Sequence, residues 1–470
     1  MATSLPLTTT PTSARSEVRK LPTPSVGRRE AERFVVKHLA AVAERRGRSA
    51  TAISSSLFRG GQRAADTALA RFDVDSYRSG RQLVYPQSRR TWSMLSPWIR
   101  HGMLSLRRVW DRVEGGANDQ VSDFRRVLLR QEHARHLYGA YGGNRSSRTS
   151  HPTAATTPDT TNSVFVGSAN VEGLAAANSA GTATVDPIDE TEMGCLELIV
   201  GELMDDGWLP DDARRWLADY WIARRGLPPD SGRRWFASHL LDGSGASNLL
   251  NWQAATGSAT AAGIGMSRWE IEAQAPGLCA SCSRVFDCPI DRYRLPLAAV
   301  GQASGATPQS ALYSGTGVSP EWVAGPRTPD VGPSGADQEP EAVWITAESM
   351  GDSDPALVAH PDLPAVFVFD EPLLKQLRLS TKRLVFLTET LADLASRREL
   401  EVWFGDPVTT LEGRRLAVTF TPTPGWRRRS SQLDISVTHP WPWLVRPDDV
   451  KMASSLLASS VDVRKERSQV

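Results

Sequence analysis

Long hydrophobic runs are missing from this 470-residue chain: none approaches the roughly 20 apolar residues that a membrane-spanning helix needs. The opening MATSLPLTTTPTSARSEVRK likewise lacks the continuous apolar stretch of a secretion signal. The expectation is a soluble, cytoplasmic protein with no membrane partner. Cysteine is scarce, with four in all, which excludes a disulfide-stapled scaffold. In a reducing compartment four cysteines more often bind metal or stay free than pair. Net charge is nearly absent at +1, but that figure hides an imbalance. Residues 1–142 carry 25 Lys and Arg against 12 Asp and Glu, an excess of +13, so the remainder carries −12. A basic half suits phosphate-bearing partners, a nucleic acid or a dinucleotide.

What is present supports a multidomain chain of helices and strands, with length for about two to three domains. Residues 1–28 are rich in Ser, Thr and Pro and are expected to be disordered. From Arg29 an amphipathic helix follows, with Phe34, His38, Leu39 and Val42 at helical spacing. Residues 121–141 predict a further strong helix, and EMGCLELIVGELMDDGWLPDDARRWLADYW predicts two helices around a Gly207-Trp208 corner. A mostly helical domain is thus expected over 29–142 and 187–296, interrupted by a low-complexity insertion at 143–186. Residues 297–339 read as a Gly/Ser/Pro/Ala linker, and 451–470 as a frayed tail. Between them, at 340–450, AVWIT, AVFVFD, LEVWFGDP and LAVTF are β-branched and aromatic runs of the kind found in buried parallel strands. A helix over 380–398, with Leu384, Leu387, Leu391 and Leu394 on one face, gives the β–α–β alternation of a small Rossmann-like open parallel sheet.

The stretch that organises the rest is FASHLLDGSGASNLLNWQAAT, residues 236–256. An apolar helical approach breaks at Asp242-Gly243 and resumes after Gly245. Asn248 and Trp252 then stand four apart, which sets an amide and an indole on one helical face. Read alone, this is a helix–turn–helix corner with one buried Trp. A second constellation is C-x2-C-x5-C-P in GLCASCSRVFDCPID, with Cys279, Cys282 and Cys288, together with the distant Cys195 in MGC. Two thiolates on one tight turn plus a third and a remote fourth make a four-sulfur shell, and the spacing alone leaves zinc and [4Fe–4S] both open.

These stretches resemble the DNA photolyase/cryptochrome family. Residues 242–252 resemble its FAD-cradling segment, with Asn251 and Ala254 departing from the family's Gly and second Trp. The resemblance implies that Asp242 and Ser244 bind FAD, that Asn248 faces flavin N5, and that Trp252 donates an electron to the excited ring. It implies that Arg214, 28 residues before Asp242, pairs with that carboxylate. SMLSPW resembles the family's phosphate clasp, assigning Ser93, Leu95 and Ser96 to FAD, with Trp92 in place of a Thr; Tyr77 matches a tyrosine that bonds the FAD phosphate. The family's middle relay tryptophan, near Pro229, is missing, and Trp221 and Trp235 are the substitutes. The cysteine pattern resembles the iron–sulfur bacterial branch and implies a [4Fe–4S] cluster. VWITAESMGDSDPAL resembles the family's α/β antenna domain, placed last here where the family has it first, and no antenna pigment is implied by name. Val127 and Arg130 stand where the family's substrate-site Glu and Trp would contact a flipped base. The function implied is light-driven repair of UV-damaged DNA by electron transfer from reduced, excited FAD. The alternative is a cryptochrome-type blue-light receptor without repair activity.

Overall fold

The computed structural model describes residues 18–44, 53–146, 192–246, 248, 252, 267–292, 318–332 and 339–449. Residues 147–191, which hold most of the expected insertion, and the tail after 449 lie outside these. The C-terminal third, with one edge strand from the start of the chain, builds a seven-stranded sheet in the order β1-β5-β4-β3-β6-β7-β2. Its strands are β1 (Arg19–Leu21), β2 (Asp330–Val331), β3 (Ala342–Ile345), β4 (Ala365–Asp370), β5 (Leu400–Gly405), β6 (Leu416–Thr419) and β7 (Ile435–His439).

The five inner strands pair in parallel. Every residue of β3, β4 and β6 is buried. That is why AVWI, AVFVFD and LAVT read as continuous apolar runs: helices or loops cover both faces. The chain leaves β3 toward β4 and β5 on one side and returns to β6 and β7 on the other.

Two expectations are corrected at the edges. The sheet is mixed, because β1 pairs antiparallel with β5 and β2 pairs antiparallel with β7. Residues 19–21, expected to be disordered, are therefore a strand of the sheet, and the helix Arg28–His38 that follows packs Phe34 and Val35 into the sheet's core. The segment expected to be a plain linker also carries structure, a short helix at Pro320–Ala324 as well as β2. The physical reason is edge protection. Unpaired N–H and C=O groups along β5 and β7 gain partners from very short strands, and RKL and DV are too short and polar to show as strands by pattern.

The helix Thr381–Ala395 is a partition. Leu384, Val385, Leu387, Leu391 and Leu394 enter the sheet's core, as the leucine spacing predicts. Phe386, on the other side, joins the core of the helical half beside Phe58, Trp98 and Trp208. Twelve of its residues are buried, including Lys382, Arg383 and Glu389. Glu389 accepts the Gly60 backbone N–H at 2.8 Å and pairs with Arg28 and Arg59, which fastens the two halves together.

The helical half holds two apolar cores. One gathers Tyr77, Leu95, Phe124, Trp208 and Leu241. The other gathers Cys195, Trp216, Trp221, Phe236 and Trp252. The helix Gly194–Asp206 stops at Gly207, whose φ of 68° is the left-handed geometry a helix end favours. The carbonyl of Gly207 then accepts the N–H of Leu241 at 2.7 Å, so the expected corner also seats the residue before Asp242. The long helix Asn118–Ser146 buries Glu132, which accepts the backbone N–H groups of Leu444 at 2.5 Å and Val445 at 3.1 Å.

Candidate functional site

The helix Pro229–His239 ends where Leu240 turns extended, and the chain folds through Asp242 and Gly243 before helical residues resume at 245. That turn brings Asp242 against Arg214, on the helix Asp211–Asp219: Nη2 donates to Oδ2 at 2.8 Å with both side chains buried. Arg214 Nε donates to the Leu209 carbonyl at 2.8 Å, which fixes the fork. Burial works against the Arg214 charge, and the carboxylates of Asp242 and Asp211 overcome it, holding the guanidinium above its ordinary range. The second carboxylate oxygen, Asp242 Oδ1, is buried and has no partner among the described residues.

Asn248 follows six residues later, where the chain is helical again. Its Nδ2 donates to the Arg233 carbonyl at 2.8 Å. A carbonyl can only accept, so the amide is fixed with Oδ1 turned away, and that oxygen is buried without a partner among the described residues. Two buried acceptors left open on one short segment are costly unless something donates to them. The arrangement suits a ligand whose edge carries N–H groups.

Trp252, from the same segment, ends a line of indoles. Trp252 and Trp221 meet edge to face at 6.0 Å and 89°, and Trp221 and Trp235 lie 5.7 Å apart at 33°. Trp221 sits on a π-helical turn, Tyr220–Arg224, the kind of insertion that re-aims a side chain. Its Nε1 donates to Ser231 Oγ at 3.1 Å. Trp252 and Trp221 are buried, and Trp235 is half-buried. Gly232 makes the line possible. A Cβ there would lie 2.6 Å from Trp252 Cζ3 and 2.7 Å from Cζ2, so the indole rests directly on the glycine backbone. The sequence reading missed Gly232; its signal is a glycine inside an otherwise regular helix.

The residues expected at the phosphate lie with a different core from the indoles, Tyr77 and Leu95 in the one around Phe124 and Trp208. Tyr77 packs edge-on against Phe124 at 5.1 Å and Phe72 at 6.2 Å. Burial, and then the Asp211 charge, push its phenol up to about 12, so it is a proton donor at any physiological pH. Leu95 shares that core, and Ser96 opens the short helix Ser96–Arg100. The Ser96 hydroxyl accepts from Trp208 Nε1 at 3.0 Å. Ser93 is half-buried beside Met94, whose φ of 53° is left-handed. Ser244 lends its carbonyl to the N–H of Asn248 at 2.9 Å. Val127 and Arg130 are half-buried on the helix Asn118–Ser146.

All four cysteines line one pocket with Met193, Ile271 and Ile290. Cys195 comes from the first turn of the helix Gly194–Asp206, and the other three from the 279–288 loop. Burial, and then the other three sulfurs, push the Cys195 thiol up to about 12, and burial raises Cys279 to about 11. Cys282 Sγ accepts the Gly194 N–H at 3.3 Å. Glu272 holds the loop by accepting the N–H groups of Gly277 at 2.7 Å and Cys279 at 3.2 Å. Among the described residues, no group of three or more His, Cys, Asp or Glu side chains is arranged to hold a metal ion. No helix of the described residues is long and apolar enough to cross a membrane.

Comparison with known proteins adds little. No family model matches the chain. No curated protein matches it either. Among solved structures it is similar to a bacterial class III photolyase from Agrobacterium tumefaciens, at 18% identity and a TM-score of 0.35. The match covers 52% of this chain and 51% of that one, so the chain spans about half the length of the structure it matches. A likeness at that level carries no functional argument, and the case rests on the residues.

Proposed function

We propose that the helical half binds FAD and that the chain is a photolyase-type enzyme, repairing UV-damaged DNA by light-driven electron transfer. The observation that carries this reading is that one segment, 242–252, supplies two open, buried acceptors, Asp242 Oδ1 and Asn248 Oδ1, and the inner indole of the Trp252–Trp221–Trp235 line. The residues fit the group. Asp242, oriented by Arg214, offers an acceptor to the N3–H of an isoalloxazine edge, and Asn248 offers one to N5–H, which the ring carries when reduced. Tyr77, Ser93, Leu95, Ser96 and Ser244 would serve the remainder of the cofactor. When bound, FAD supplies the light absorption and the electron transfer. The chain's part is to hold the ring's edge, exclude water, and deliver electrons from the half-buried Trp235 inward through Trp221 to Trp252.

The four-cysteine pocket is best read as the seat of a [4Fe–4S] cluster. The donors are all sulfur, which suits either a cluster or zinc, and the C-x2-C-x5-C-P pattern with a remote Cys195, similar to the iron–sulfur bacterial branch, favours the cluster. Thiols raised by burial, as Cys195 and Cys279 are, ionise against a compensating positive charge, which a bound metal ion or cluster would provide. The excess of basic residues in the first 142 suits DNA phosphates.

A second reading, a blue-light receptor without repair activity, is favoured by Val127 and Arg130. These leave the helix Asn118–Ser146 without the carboxylate and aromatic platform expected to hold a flipped base. Illuminating the reduced protein with oligonucleotides that carry cyclobutane dimers or 6-4 products, and following lesion loss, decides between them. Loss of either lesion supports repair. No turnover on both removes the enzyme and leaves the receptor.

A further inference from the structure

Arg383 has no counterpart in the cofactor reading above. It projects from the partition helix Thr381–Ala395, on the sheet's side of the molecule, into the helical half. It is 6% exposed and makes no ion pair among the described residues. Its Nη1 donates to the Ala237 carbonyl at the end of the helix Pro229–His239, and its Nε has no partner among the described residues. The helix is held there by the Ser380 N–H, which donates to the Ser238 carbonyl at 2.9 Å. Gly243 gives the guanidinium its room, since a Cβ at that position would lie 2.7 Å from Nη1.

The charges around it do not balance. The carboxylates that act on Arg383 are Asp242 and Glu348, and each is held by another arginine: Asp242 by Arg214 at 2.8 Å and Glu348 by Arg100 at 2.8 Å. Burial, and then Arg100, pull the Arg383 guanidinium down to about 9, the mark of a cation short of negative charge. A buried cation in surplus is costly, and a negative group brought beside it would offset that cost.

We propose that Arg383 is a redox-tuning residue, which makes the Asp242–Gly243 end of the cofactor pocket net positive and so stabilises the negative charge that a flavin ring takes up on reduction. The inference rests on the reading that the flavin edge lies against Asp242. It assigns to the sheet half of the molecule a direct part in the cofactor's energetics. In the low-dielectric interior a full charge beside the ring acts far more strongly than it would in water.

The test is a potentiometric titration of the FAD-loaded protein, with dithionite as electron source and redox dyes as reporters, on wild type, Arg383→Gln and Arg383→Lys. Arg383→Gln is expected to lower the reduced-to-oxidised ratio at fixed potential at least tenfold, about 30 mV for the two-electron couple. Arg383→Lys, which keeps the charge, is expected to stay within threefold of wild type. A Gln variant that binds FAD and titrates like wild type overturns the inference and leaves the flavin reading standing. Loss of FAD by the Gln and Lys variants alike makes Arg383 a strut between the halves and also overturns it. A wild type that takes up no FAD defeats the flavin reading itself.

Discussion

Gly232→Ala separates the packing described here from any looser arrangement, because the two give effects of opposite sign. Gly232 is buried within the helix Pro229–His239, where replacing glycine by alanine ordinarily gains about 1 kcal/mol of helix propensity. Here the added Cβ would stand 2.6 and 2.7 Å from two ring carbons of Trp252, with Cη2 nearer still. The indole has no easy retreat, since Phe236 packs on it at 5.2 Å and Trp221 at 6.0 Å. Overpacking of that kind costs about 1–3 kcal/mol, and displacing a buried Trp from its neighbours adds to it. The net expectation is destabilisation of about 1–2 kcal/mol. Urea unfolding followed by Trp fluorescence measures it, and the emission of the folded variant should shift to the red as Trp252 meets water. A variant as stable as wild type or more so, with unchanged emission, would refute the placement of Trp252 on Gly232 and with it the indole line.

Other expectations follow from the same geometry. Arg214→Met leaves Asp242 charged in the interior without its hydrogen-bonded partner and should cost about 3–5 kcal/mol in unfolding free energy; Asp242→Asn, which keeps an acceptor for Arg214, should cost clearly less, and equal losses would speak against a buried pair. Trp221→Phe and Trp252→Phe should each slow flavin photoreduction by tenfold or more while leaving FAD bound, whereas unchanged rates in transient absorption would route electrons elsewhere. Each of the four Cys→Ser variants should lower bound iron in elemental analysis, and unaltered iron in any one would remove that cysteine from the shell. Burial lowers His101 and His136 from 6.5 to about 3 in the folded chain. Their contribution is complete above pH 6.5 and is lost as pH falls from there toward 3. Between pH 7 and 5 each should remove about 2 kcal/mol of stability. His136→Gln should shrink that acid loss by one histidine's share, and an unchanged pH dependence of the urea midpoint would contradict it.

The sheet was largely legible because burial on both faces leaves its inner strands continuously apolar. AVFVFD was expected as a strand and is β4 over its full length. The partition helix was legible as well, since its leucines repeat toward one core. Its second face was not, because Phe386, Glu389 and Arg383 look like ordinary helix residues until the opposing half is in place. Residues 19–21 and 330–331 were missed because edge strands are defined by what they pair with, not by their own composition. At the site, the resemblance marked Arg214 and Asp242 as a pair, and the cysteine spacing marked the sulfur pocket. Gly232 and Arg383 left no such trace, for each matters through a contact with a residue distant in sequence or on a neighbouring helix.

The most direct test of the central claim is an equilibrium titration of the flavin-stripped protein with FAD, read by quenching of Trp fluorescence and by the flavin visible band. The account predicts saturation at one FAD per chain, with quenching reduced in Trp252→Phe and affinity lowered at least tenfold in Asp242→Ala. A chain that takes up no FAD, or takes it up equally well without Asp242, would contradict it.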